Sequence, residues 1–293
     1  MSTIRQARSD EFDQVLDLIT AQQQDPARAC IFLGTERDGI LAELDELGEW
    51  RSTVLVAEDD GVLTGAVLSD SDTSLGRGWI HGPWATGDWL PTARSLLLEA
   101  VAALPPEIAT CEIGSDIAHA PMAELAAELG WTATEVSHVY VADRAAGEAW
   151  QAEDPRVRQP RPEDAETIAP LHDREFPATY TPVDRLMTGA ADGSLLVAVA
   201  DGDGFLGYAA GRVQPDGEGY LDYLAVAESA RGRGVGEALV STLGRRILAA
   251  SPRGTVNLTV QDHRSPAVAL YERLGFRREC SMVGYRSPVA ATS

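Results

Sequence analysis

Apolar and polar residues alternate with two different periods along this chain, and the two periods mark out its elements. Period-two runs predict strands at Val54-Leu55-Val56-Ala57 and Leu63-Thr64-Gly65-Ala66-Val67, separated by a polar turn in the manner of a hairpin. The same spacing returns at Leu196-Val197-Ala198-Val199 and Phe205-Leu206-Gly207-Tyr208-Ala209. Further strands are predicted at Tyr220 to Val226 and at Val256-Asn257-Leu258-Thr259-Val260. Helical spacing governs the stretch near Thr92 to Leu104, the run opening at Glu237-Ala238-Leu239-Val240, and Ser265 to Leu274. In the last of these Ser265 is expected to cap the helix, with Pro266 at its first position and Gly275 ending it.

The order of elements repeats. Ile4-Arg5-Gln6-Ala7-Arg8-Ser9-Asp10-Glu11 returns as Val157-Arg158-Gln159-Pro160-Arg161-Pro162-Glu163-Asp164, and Glu128-Leu129-Gly130-Trp131 as Arg273-Leu274-Gly275-Phe276. A chain of 293 residues suits two domains, and the repeat reads as a tandem duplication, residues 1–147 and 156–293, with a linker near Gly147 to Pro155.

Chemistry is concentrated in the second copy. Arg231-Gly232-Arg233-Gly234-Val235-Gly236 lies between the strand ending at Val226 and a helix N-terminus. Unpartnered amides at a helix start, backed by the helix dipole, attract phosphates, and glycines let a diphosphate approach them. A P-loop needs Gly-Lys-Ser/Thr, and the chain has no lysine, its 24 basic residues being arginines. A dinucleotide fingerprint fails because Glu237 stands at its third glycine. Arg-x-x-Gly-x-Gly fits, as Arg231, Gly234 and Gly236. Ala267-Val268-Ala269-Leu270-Tyr271-Glu272-Arg273-Leu274-Gly275-Phe276 follows at a fitting distance. Read alone, Ala267, Leu270, Tyr271 and Leu274 form a stripe of the kind that usually packs a core.

With both motifs the chain resembles the GCN5-related N-acetyltransferase (GNAT) superfamily, in a tandem-domain form. The resemblance implies an α/β (α+β) protein of two acyl-CoA N-acyltransferase folds, each a mixed, mostly antiparallel sheet flanked by helices. It implies acetyl-CoA as cofactor, with Arg231, Gly232, Arg233, Gly234, Val235 and Gly236 on the diphosphate. Leu224, Ala225 and Val226 would lie along the pantetheine arm, where two strands splay apart. Tyr271 would protonate the leaving thiolate. Many relatives carry a glutamate at the position of Tyr220, so the base is sought nearby. Alternation puts Tyr220, Asp222, Leu224 and Val226 on one face, which favours Asp222, with Glu218 as second candidate. Arg264 replaces a common asparagine and could reach a phosphate instead.

The first copy lacks these features. It carries Trp79 to Asp88 where the glycine loop would fall, and Ala126 where Tyr271 stands. Residues 1–150 hold 8 arginines against 26 acidic residues, a net −18, while residues 151–293 hold 16 against 19, a net −3. The balanced half suits an anionic cofactor, and an acidic lobe suits a cationic amine or simply confers solubility. Nucleic acid is disfavoured by the charge, and no run is long and apolar enough for a membrane span. The three cysteines and five histidines show no ligand spacing, so no metal is expected, and a cytoplasmic location fits reduced thiols. The leading expectation is acetylation of a small-molecule amine in a ternary complex. Peptide or protein acetylation and a non-catalytic acyl-CoA-binding module are the alternatives.

Overall fold

A computed structural model describes residues 3–151, 153–177, 179 and 181–288. The chain forms two compact units, residues 1–137 with 280–293, and residues 138–279. Each builds one sheet with a core on either face.

In the first unit the strands Thr3–Gln6, Leu55–Asp59, Val62–Asp72, Arg77–Ala85 and Thr110–Asp116 lie side by side in chain order. All neighbours are antiparallel except the last pair, which is parallel. Side chains alternate between the faces as period two requires. Val56 and Ala66 pack with the helices Phe12–Gln23 and Arg37–Glu46, while Ala57 and Val67 pack with Trp89–Ala102 and Ala120–Glu128.

The second unit repeats this plan. Val157–Arg158, Leu196–Gly202, Gly204–Val213, Gly219–Val226 and Thr255–Gln261 follow one another across the sheet, again with a single parallel pair, between the last two. Val197 and Val199 face the helices Asp164–Glu175 and Val183–Asp192; Ala198 and Ala200 face Val235–Ala250.

The packing units are not two consecutive pieces of chain. The strand Ser137–Asp143, from His138 onward, counts with the second unit, where it lies beside Thr255–Gln261. The long strand Arg277–Pro288 returns the compliment, since from Cys280 it counts with the first unit. There Met282 to Pro288 pair antiparallel with Asp116 to Thr110. The boundary expected from the sequence falls at the linker, whereas the packing trades a strand across it.

The linker itself is firmly held within the second unit. Trp150 is buried, stacks on Phe276 at 5.4 Å and donates Nε1–H to the Leu274 carbonyl at 2.6 Å. Gly147 lies so close to Leu248 that a Cβ would stand 2.4 Å from it. The segment lacks a sequence period because one aromatic anchor, not a repeating face, fixes it.

Candidate functional site

The parallel ladder between Gly219–Val226 and Thr255–Gln261 has two pairs, Gly219↔Val256 and Tyr220↔Asn257. Beyond them the strands part. On its other edge Gly219–Val226 stays paired with Gly204–Val213 as far as Gly207↔Val226. The Ala227 amide donates to Leu206 on that side at 2.9 Å. Peptide groups alternate along a strand, so those of Leu224 and Val226 face into the split. Arg231 shows this directly, its Nε–H donating to the Val226 carbonyl at 3.3 Å.

A β-bulge sets what each face carries. Ala210 opposes Tyr223 and Gly211 opposes Leu221, which leaves Asp222 as the extra residue. Leu221, Leu224 and Val226 therefore pack on the side of the helix Val235–Ala250, and Tyr223 and Ala225 on the other. This corrects the expectation that Tyr220, Asp222, Leu224 and Val226 share one face. Simple alternation fails at the bulge, and the face of Tyr220 and Asp222 is opposite that of Leu224 and Val226. Gly211 permits the bulge, because a Cβ there would fall 2.4 Å from the Tyr220 carbonyl oxygen.

Asp222 is the unusual group on that face. Its side chain is 4% exposed, its Oδ1 lies 3.6 Å from Arg212, and its Oδ2 has no hydrogen-bond partner among the described residues. Burial raises its pKa to about 6, against the opposing pull of Arg212. Tyr220 beside it donates to Thr259 Oγ1 at 2.9 Å, across the start of the split. Glu218 accepts from Asn257 Nδ2 at 2.6 Å, and half-burial raises its pKa more than that bond lowers it. Both oxygens of Glu218 have donors nearby, from Arg253 and Asn257, so of the two carboxylates Asp222 is the one with an unpartnered oxygen.

The glycine loop has the form its sequence implies. Gly232 and Gly234 adopt φ of 71° and 73°, the left-handed region that favours glycine. Gly234 caps the helix Val235–Ala250 with no side chain on the first turn. Arg231, Gly232, Arg233 and Gly234 are exposed, and Val235 is buried. Gly236 is needed for packing, as a Cβ would meet Leu270 at 3.2 Å and Val226 at 3.6 Å. A cavity of about 260 Å³ opens beside Glu237, Ser241, Trp150 and Arg273. Neither Asp222 nor Tyr271 lines it, so the split strands and not this hollow define the site.

Tyr271 sits on the helix Ser265–Arg273, 6% exposed and edge-on to Phe276. Burial raises its pKa, so the phenol stays protonated and able to donate. The helix begins one residue before the position expected from a Ser265 cap. Arg264 is the N-cap, with no side-chain bond to the first turn, and Pro266 follows in that turn. Gly275 ends the helix at φ 84°, and the Phe276 amide donates to Tyr271 O at 3.0 Å. In the first unit Gly130 (φ 72°) and Trp131 make the same closure onto Ala126 O at 2.9 Å. Ala126 is thus the structural counterpart of Tyr271.

The first unit also has a split, after Arg77↔Thr110, Gly78↔Cys111 and Trp79↔Glu112, but its own chain fills it. The Ile31 amide donates to Gly114 O, Asp116 N–H to Ala29 O, and Cys30 bridges Ser115. Arg28 Nη1 donates to Ala85 O at 3.1 Å, as Arg231 does to Val226. No local pattern in residues 28–31 signals this plug, because its partners lie more than 50 residues away.

Residues 149–276 match the acetyltransferase (GNAT) family. A mycothiol acetyltransferase of Parafrankia sp. (strain EAN1pec) is 40% identical over 75 residues, which span 26% of this chain and 23% of that protein. A GCN5-related N-acetyltransferase from Sphaerobacter thermophilus superposes with a TM-score of 0.70 at 17% identity, covering 98% of this chain and 96% of its own. A tandem GNAT protein from the clavulanic acid biosynthesis pathway gives 0.65 at 15% identity, with 100% and 99% covered. Residues 149–276 carry the sequence of the GNAT family, and the chain as a whole is similar in fold to GNAT proteins, a tandem one among them. Among the described residues no helix is long and apolar enough to cross a membrane, and no group of three metal-ligating side chains occurs.

Proposed function

We propose that the second unit transfers an acetyl group from acetyl-CoA to the primary amine of a small molecule, by direct attack in a ternary complex. The observation that carries this is Asp222, a buried carboxylate with an unpartnered oxygen at the root of a strand split whose far end leads to the glycine loop.

Each residue has one task. Arg231, Gly232, Arg233, Gly234, Val235 and Gly236 receive the diphosphate on main-chain amides and a guanidinium. The edge groups of Leu224 and Val226 hydrogen-bond the arm and orient the acyl carbonyl, with Ala225 anchoring the strand from below. Asp222 takes a proton from the ammonium, directly or through one water, so that a neutral nitrogen attacks. Tyr271 gives its hydroxyl proton to the departing sulfur as the C–S bond breaks, and the second proton of the attacking nitrogen, acidic once acylated, passes through solvent to restore the phenol. Positioning by the split supplies much of the rest.

The small-molecule reading is supported by the name of the Parafrankia relative and by the acidity of residues 1–150. Mycothiol synthase is also the tandem enzyme whose layout this chain resembles, though Tyr220 in place of a glutamate counts against the same substrate. CoA release measured with polyamines, amino sugars and peptides tests the reading. Steady release with small amines supports it, and release with peptides alone moves the function to protein acetylation. Tight binding of acetyl-CoA without release on any amine would make the protein a binding module.

Two further results are expected. Tyr271→Phe should lower kcat about 100-fold while acetyl-CoA affinity holds, as loss of a proton donor predicts; an unchanged kcat would leave Tyr271 a packing residue. Calorimetric titration should find one acetyl-CoA per chain, since the plug at Arg28 to Ile31 occupies the other split. Two equivalent sites would refute that account of the first unit.

A further inference from the structure

Glu175 ends the helix Asp164–Glu175, and guanidiniums gather on it from three directions. Arg231 Nη2 donates to Oε1 at 2.9 Å, and Arg174 Nη2 lies 3.3 Å from the same oxygen. Arg264 Nη1 stands 3.8 Å from Oε2, and its Nη2 donates to the Glu175 carbonyl at 3.4 Å. Arg231 follows one arm of the split and Arg264 the other, so one carboxylate ties both arms to a third element. One anion among three cations leaves an excess of positive charge, in a chain whose net charge is −21.

The pose of Arg231 matters most. While its Nη2 reaches Glu175, its Nε–H occupies the Val226 carbonyl, which faces into the split. A ligand arm that pairs with this strand edge competes for that carbonyl. A diphosphate competes for the guanidinium itself.

We propose that Glu175 is a resident counter-ion that holds the cofactor slot shut, drawing Arg231 across the Val226 carbonyl until the diphosphate of the cofactor takes its place. The inference rests on the acetyl-CoA reading above and adds the residue that governs entry. The exchange is easy because the ion pair is half-exposed: Glu175 is 19% and Arg231 55% exposed. Such pairs are weak and screened by salt. Phosphate oxygens, with more charge and more acceptors, displace a single carboxylate.

The test is acetyl-CoA binding by calorimetry and stopped-flow, on the full chain and on Glu175→Gln. The glutamine variant should bind about 2- to 5-fold tighter, through faster association, the scale expected when a weak surface ion pair is removed. Its unfolding midpoint should match the parent's, which shows that the fold is kept. Equal or weaker binding by Glu175→Gln, with the parent binding normally, overturns the latch and leaves the acetyl-transfer reading standing. A parent chain that binds no acetyl-CoA sinks that reading first, and the latch with it. In a crystal of the acetyl-CoA complex, Arg231 should have left Val226 O; finding it still bonded there also overturns the latch.

Discussion

Asp222→Asn should lower kcat/KM about 100- to 10,000-fold, the range for losing a general base. The parent's kcat/KM should rise with pH through about 6 and then level, because only the carboxylate accepts the proton. In the variant that rise should vanish, and Asp222→Glu should restore part of the rate. Stability should move the other way. The folded pKa of about 6 lies above the ordinary 3.8, so the folded state holds the proton more tightly than the unfolded chain. This group's contribution to stability is complete below pH 4 and is lost as the pH rises through 6. Asparagine escapes that loss, so the variant should be more stable at pH 7.5, by at most about 3 kcal/mol, and no more stable at pH 4. Thermal unfolding at the two pH values checks this. A variant that keeps its rate shows that the base is elsewhere, with Glu218 next in line.

Gly234→Val should weaken acetyl-CoA binding at least about 100-fold, equivalent to roughly 2.7 kcal/mol. Two causes add. A β-branched residue at φ 73° is strained, costing on the order of 1–2 kcal/mol. Its side chain would also stand in open space before the helix N-terminus, where the nearest atom to a Cβ is Arg156 Nη2 at 3.9 Å. That is the space the proposed diphosphate site would use. Gly130→Val is the control, since Gly130 has nearly the same φ, equally open surroundings and no place in the loop. It should lose similar stability and keep its affinity. Equal affinity loss in both variants would assign the effect to unfolding and not to the cradle.

The features legible in the sequence are those written in adjacent residues. Gly232 and Gly234 announce left-handed turns, and Gly275 announces a helix end, because few other residues tolerate those dihedrals. Tyr271 is legible as a position in a motif, and its burial through the helical stripe it shares with Ala267, Leu270 and Leu274. What escapes depends on partners far along the chain. The bulge at Asp222 exists because Gly211 lets a neighbouring strand slip by one residue, and period-two counting within Tyr220 to Val226 cannot register it. Glu175, the plug at Arg28 to Ile31 and the anchoring of Trp150 are long-range contacts between segments with no shared pattern. Arg264 looked like a lost asparagine, and its tie to Glu175 appears only when two remote helix ends meet.

The traded strands also set a timetable for synthesis. While the chain grows from its N-terminus, Thr110–Asp116 is an unfinished sheet edge, since its outer neighbour begins only at Cys280. A ribosome adding about 5–20 residues per second takes roughly ten seconds or more to deliver that neighbour. During that interval the edge is open to wrong pairing, the hazard of any bare strand. The strand from His138, by contrast, is made early and waits for Thr255–Gln261. Neither half can complete its sheet before the other is largely made, so the protein matures as one piece.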